Sequence, residues 1–248
     1  MKDLIKKLTE AYGPSGNEGE VRELIRAEVE PLADEIRVDT LGNLIAIKHG
    51  NGTGKKVMLA AHMDEIGLII SYVDEKGFLR AQPIGGVDTM TLAGGRVRFA
   101  DGATGVIAPE KRPEFKKDPD LTKLYIDVGA TSREEAEARL GQAVSFVRPF
   151  ADLGRRVVAK AMDDRIGCVV LIEVLRRLGA TPHEVYFVFS VQEEVGLRGA
   201  RTGAYGLEPE VGIAVDITAS GDTPEAPTMA MKLGAGPCIK VMAVSYTH

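Results

Sequence analysis

The stretch that decides the fold is "KKVMLAAHMDEIG", residues 55–67. Val57 to Ala61 is apolar without interruption, as expected of a strand covered on both faces, and His62 and Asp64 follow at once. The preceding "NLIAIKH" (43–49) reads as a second strand. Upstream, "MKDLIKKLTEAYG" (1–13) has the spacing of an amphipathic helix. In "PSGNEGEVRELIRAEVEPLAD" (14–34), Ser15 and Glu18 have the S-x-x-E spacing of a capping box, which predicts a second helix to about Ala33.

Beyond Gly67 the style changes to short strands broken by glycines: "GLIISYV", "GFLRAQPI", "GGRVRFA", "TGVIA", "KLYIDVG" and "QAVSFV", with one helical stretch, "SREEAEARL". Such spacing predicts a small barrel or sandwich. At Arg155 the first style returns with "RRVVAKA", a helix "DDRIGCVVLIEVLRRLG" ended by Gly179, a buried strand "EVYFVFSV", a short helix "LRGARTGAYG" and a strand "VGIAVDIT". The expected fold is α/β, a mixed sheet flanked by helices, formed by residues 1–66 and 153–248. A β domain at 67–152 is inserted between its halves.

With 248 residues, 44% apolar and 27% charged, the chain has the composition of an ordinary globular protein, and its net charge of −5 argues against nucleic acid as a partner. The densest basic stretch, "EKRPEFKK" (110–117), is interrupted by two glutamates and a proline and reads as a solvated loop. Cys168 and Cys238 form no C-x-x-C pair, so no disulfide framework is expected. The N-terminus lacks the apolar core of a signal peptide and no stretch has the length of a membrane span; the expected location is cytoplasmic.

The polar residues fall in a pattern. His62 and Asp64 follow "VMLAA", Asp163 and Asp164 follow "VVAKA", Glu193 and Glu194 follow "VFSV", and Asp216 follows "GIAV". Each group is expected at the carboxyl end of a sheet strand, where open α/β sheets place their ligand sites. So many carboxylates together would repel one another and protonate unless a cation neutralised them. One imidazole with several carboxylates suits zinc, cobalt or manganese, and the absence of a cysteine ligand argues against a closed structural zinc site. In H-x-D the two side chains point the same way, so Asp64 can accept the other ring N–H of His62 and fix its orientation. Glu193 and Glu194 would face opposite ways on a regular strand. Gly196 lets the chain turn there, so that one can bind metal while the other holds a water.

Together "AAHMDEIG", "AKAMDDRIGC", "SVQEEVGLRGA" and "AVDITASGDTPE", in this order and with a β insertion between the first two, resemble the M42 family of dinuclear metalloaminopeptidases, related to tetrahedral and glutamyl aminopeptidases. The likeness runs from the N-terminal helix to about Met242. It implies that His62 and Glu194 bind one metal, Asp163 bridges two, Asp216 binds the other, Asp64 orients His62, and Glu193 is the general base; it assigns no role to Asp164. It further implies two divalent ions per subunit (zinc or cobalt), peptide substrates cleaved at a free N-terminus, and homo-oligomers, from dimers built through the β insertion to dodecamers.

Family members are longer by roughly a hundred residues, and their second histidine ligand lies farther along the chain than this sequence extends. The remaining histidines are His49, His183 and His248. The expectation is therefore one adequate metal site at His62, Glu194 and Asp163 and an incomplete second one. Three other readings stand beside the aminopeptidase. One is a non-catalytic metal-binding or oligomerising relative; another is a glycosidase of the endoglucanase type working through paired carboxylates. The third is a deacylase or carboxypeptidase on a related scaffold. With no tryptophan and 5% aromatics, the chain is poor in the platforms that sugar clefts use.

Overall fold

In the computed structural model, which describes residues 1–110, 120–226 and 228–239, the apolar run at 57–61 lies inside a five-stranded sheet. The chain opens with helices α1 (Lys2–Glu10) and α2 (Gly19–Val29), then strands β1 (Glu35–Val38), β2 (Leu44–Lys48) and β3 (Lys56–His62). After the inserted segment come a short hairpin, β10 (Ala151–Asp152) with β11 (Val157–Val158), then helix α4 (Met162–Arg177), strand β12 (Glu184–Ser190), helix α5 (Arg198–Leu207) and strand β13 (Val211–Ala214). Sheet order is β1-β2-β12-β3-β13; β12 and β13 run parallel to β3, and β2 runs antiparallel to β12. In the parallel register His62 stands opposite Ser190 and Ala60 opposite Ala214, so three strands deliver their carboxyl ends to one edge.

Alternation along β3 and β12 explains the coverage of both faces. Ala61, Val185, Phe187 and Phe189 pack with Leu8, Ile25, Cys168 and Ile172 of α1, α2 and α4. Met58, Ala60, Tyr186 and Val188 turn the other way, against Leu207 of α5. This is the expected mixed sheet flanked by helices.

The inserted segment forms a closed six-stranded barrel of β4 (Gly67–Val73), β5 (Leu79–Ile84), β6 (Arg96–Phe99), β7 (Thr104–Pro109), β8 (Leu124–Asp127) and β9 (Ala143–Phe146), in the order β4-β5-β8-β7-β6-β9. Helix α3 (Arg133–Ala136) lies between β8 and β9. Closure comes from β4 pairing with β9, Leu68 opposite Val144. Alternate side chains fill the interior, among them Leu68, Ile70, Val97, Phe99, Ile107 and Ile126. Hydrogen bonds tie the barrel to the α/β layer: Tyr12 Oη donates to Ala143 O (2.9 Å), and Arg98 Nη2 donates to both Glu20 oxygens (3.2 and 3.3 Å). Residues Met1–Asp216 form one compact unit. The described residues beyond it carry no helix or strand, and no helix among the described residues is long and apolar enough to cross a membrane. The basic stretch at 110–117 falls, apart from Glu110, outside the described residues.

Three local expectations are corrected. Ser15 and Glu18 make no capping box: Ser15 Oγ donates to Asp64 Oδ2 (2.5 Å), and Glu18 Oε1 accepts from the N–H groups of Gly16 (2.7 Å) and Gln192 (3.1 Å). Helix α2 stops at Val29, because Pro31 has no N–H to extend the ladder. Asp163 and Asp164 do not follow a strand of the main sheet; β11 belongs to the separate hairpin, and the two aspartates lie at a kink at the start of α4, where their backbone is not helical (ψ 109° and 37°).

Candidate metal centre

His62 ends β3 with its ring buried between two groups of acids. Nδ1 lies 3.2 Å from Asp64 O and 3.4 Å from Asp64 Oδ1, and Nε2 lies 3.0 Å from Asp163 Oδ1 and 3.7 Å from Glu193 Oε2. Burial works against a charge on this ring, but the bonds to Asp163 and Asp64 prevail and raise its pKa to about 11. Burial alone would lift Asp64; the imidazole and the donors around it hold its carboxyl below the usual range.

The loop after β12 is built by its main-chain donors. Four successive N–H groups each find a side-chain acceptor: Val191 on Asn43 Oδ1 (3.0 Å), Gln192 on Glu18 Oε1 (3.1 Å), Glu193 on Asp64 Oδ1 (3.0 Å) and Glu194 on Asp64 Oδ2 (3.1 Å). Gln192 takes a positive φ of 54°, which breaks the strand alternation. Both neighbouring glutamates are thereby held at the edge where His62 ends. Burial pushes the Glu193 carboxyl above its ordinary value and that of Glu194 up to about 7.

Asp163 and Asp164 divide the work at the start of α4. The side chain of Asp163 is 53% exposed and faces His62 Nε2. Asp164 is fully buried and turned inward, where its oxygens accept from Gly167 N (3.0 Å) and His62 N (3.2 Å). Burial raises its pKa to about 8. A Cβ at residue 167 would lie 2.4 Å from both of these oxygens, so glycine there leaves room for the carboxylate.

Two sets of donor atoms converge among the described residues. One atom each from His62, Asp163 and Glu194 lies within 4.8 Å of the others, and the same holds for His62, Asp164 and Asp216. One imidazole nitrogen with carboxylate oxygens is a donor set that fits a zinc, cobalt or manganese ion. The expected site residues His62, Asp64, Asp163, Glu193, Glu194 and Asp216 are thus brought to one edge. His183 is not among them, since it accepts from Lys55 N at the opposite edge, and His49 lies there too, beside Glu184. His248 is outside the described residues. Ser15, Glu18 and Asn43 were missed; they belong to neither donor set, but their hydrogen bonds fix the turns that carry the acids.

Residues 42–248 match the model of the M42 glutamyl aminopeptidase family. The chain belongs to that family. A putative aminopeptidase of Acetivibrio thermocellus is 51% identical over 97% of this chain and 73% of its own length. The lysyl aminopeptidase of Pyrococcus furiosus is 41% identical over 96% and 72%. Among solved structures, an aminopeptidase from the archaeon Desulfurococcus kamchatkensis superposes with a TM-score of 0.89 at 44% identity, covering 95% of this chain and 68% of that one.

In this M42 chain a buried ionic brace lies beneath the site. Lys160 Nζ donates to both Glu65 oxygens (2.7 and 2.8 Å) and to Ala11 O (2.7 Å). Glu65 also accepts from Gly13 N (3.1 Å). Arg165, wholly buried, donates to Met63 O (2.5 Å) and Leu8 O (2.6 Å). The brace joins α1, the turn after β3 and the start of α4, the pieces that carry His62 and Asp163.

Proposed function

We propose that this chain is a metal-dependent aminopeptidase that removes N-terminal residues from peptides. The observation that carries the reading is the convergence of His62, Asp163 and Glu194 on one point, with Glu193 and Asp64 beside them. In this reading His62 and Glu194 would hold one divalent ion, Asp216 would hold a second, and Asp163 would serve both. Bound metal would supply a water of lowered pKa and a polarised scissile carbonyl. Asp64 accepts the Nδ1 proton of His62 and so presents Nε2 to the site. Glu193 takes the proton of the attacking water; as the water oxygen bonds to the carbonyl carbon and the C–N bond breaks, that proton passes to the leaving amine.

The two donor sets are unequal. Both oxygens of Asp164 already accept main-chain N–H groups, which favours a positioning role and leaves the set containing Asp216 weaker than the set containing Glu194. The proposal is one tight zinc per chain and a second, weaker one. Residues 67–152 are proposed as the oligomerisation domain; Ile69, Tyr72 and Val106 stand exposed on the barrel.

Zinc titration of the purified chain, followed by a screen of aminoacyl-p-nitroanilides, tests the reading. Expected are one tight equivalent and amide hydrolysis that a chelator abolishes. Absence of zinc binding, or cleavage of β-glucan without cleavage of any aminoacyl amide, overturns it.

A further inference from the structure

Gly85, the first residue after β5, brings the barrel wall against the acid loop. Its φ is +76°, and a Cβ placed there would stand 3.1 Å from Glu194 Cβ, 3.2 Å from Glu194 Oε2 and 2.8 Å from Ile66 Cγ2. These separations are shorter than ordinary van der Waals contact, so the bare Cα of Gly85 is what the Glu194 side chain rests beside. Glutamate has three rotatable side-chain bonds, and the main-chain bond from Glu194 N to Asp64 fixes none of them. A wall this close to both its Cβ and its Oε2 restricts the rotamers open to Glu194, whose carboxylate stands within 4.8 Å of donor atoms of His62 and Asp163.

The wall is itself anchored to the layer that carries the other donors. Beyond the Tyr12 and Arg98 bonds, Pro14 packs on the first residue of β4: a Cβ at Gly67 would lie 3.1 Å from Pro14 Cβ. Gly67 opens β4 within a few residues of His62, and a Cβ there would lie 2.5 Å from Val144 O of β9. The barrel therefore has a fixed setting against the edge, and Gly85 has a fixed setting against Glu194.

We propose that Gly85 is a positioning residue for Glu194: the barrel surface sets where that carboxylate stands and so sets the affinity of the tight metal site. The inference rests on the metal reading above. It makes the inserted barrel a part of the centre, although the barrel supplies no ligand.

The test is zinc titration by isothermal calorimetry on four full-length chains: the parent, Gly85→Ala, Gly85→Asn and Gly94→Ala. Gly94 also lies in the barrel with positive φ (+83°) but has open space where a Cβ would go, so Gly94→Ala reports backbone strain alone. Asparagine tolerates positive φ better than alanine while still carrying the Cβ, so Gly85→Asn keeps the test valid if Gly85→Ala does not fold. Expected is a loss of roughly tenfold or more in zinc affinity for the Gly85 variants, with Gly94→Ala within about twofold of the parent. Zinc affinity of Gly85→Asn within about twofold of the parent overturns the inference and leaves the metal reading standing. A parent that binds no zinc overturns the metal reading and the inference with it.

Discussion

Glu193 and Glu194 are chain neighbours held by the same aspartate, one through Oδ1 and one through Oδ2, yet their carboxylates are proposed for different tasks. Glu193→Gln keeps the main-chain N–H on Asp64, the volume and the fold, and removes only the proton acceptor. Zinc affinity is expected to stay at the parent level while kcat on an aminoacyl-p-nitroanilide falls by about 10²–10⁴. Turnover within a factor of about three of the parent would place the base elsewhere. That Asp64 comes to lie beside the His62 ring was legible because H-x-D puts two side chains on one side of an extended chain. Ser15 was not: its spacing to Glu18 imitates a helix cap, and only the folded chain brings it to Asp64, 49 residues away. A buried carboxylate is a stronger attraction for a hydroxyl than a helix N–H open to water.

At the scale of elements, the brace of Glu65, Lys160 and Arg165 holds the start of α4 against the end of β3. Lys160→Met leaves the Glu65 carboxylate buried without its main counter-charge and should cost about 3–5 kcal/mol in denaturant unfolding. Adding Glu65→Gln, which keeps an acceptor for Gly13 N, should recover most of that. Equal stability of the single and double variants would mean that the uncompensated charge is not the cause. Burial lowers Lys160 from its ordinary value of 10.5 to about 8, so between those values the unfolded chain binds more protons than the folded one. The parent's stability should therefore gain a component that rises with pH across this window, absent in Lys160→Met. Sequence showed these elements well where a period ran long, as in β12 and α4. It missed β1, a short edge strand with little burial, and it gave the strand before Asp163 to the main sheet, whereas Val157–Val158 pairs in a separate hairpin. "RRVVAKA" has the composition of a sheet strand, but which partner a strand finds is a long-range property.

At the scale of the molecule, the change from long apolar runs to short glycine-broken strands reveals the insertion in the sequence, because a small barrel needs tight turns between brief strands where a covered sheet needs continuous apolar ones. What the sequence hid is how the two parts are joined through Tyr12 and Glu20. The closure of the barrel by β4 and β9 bears also on the order in time in which the chain assembles. His62 and Asp163 are 101 residues apart along the chain, and bringing them together directly would close a long loop. Once Leu68 pairs with Val144, the open path between them is only about 25 residues, which lowers the entropic cost of closure by about 1.2 kcal/mol. A barrel that forms early thus acts as a clip on the folding chain, with the acid-lined edge completed afterwards. In pulse-labelled hydrogen exchange during refolding, the amides of Ile70 and Val97 should gain protection before those of Val188 and Phe189; the reverse order would mean that the sheet gathers the clip instead of the clip gathering the sheet.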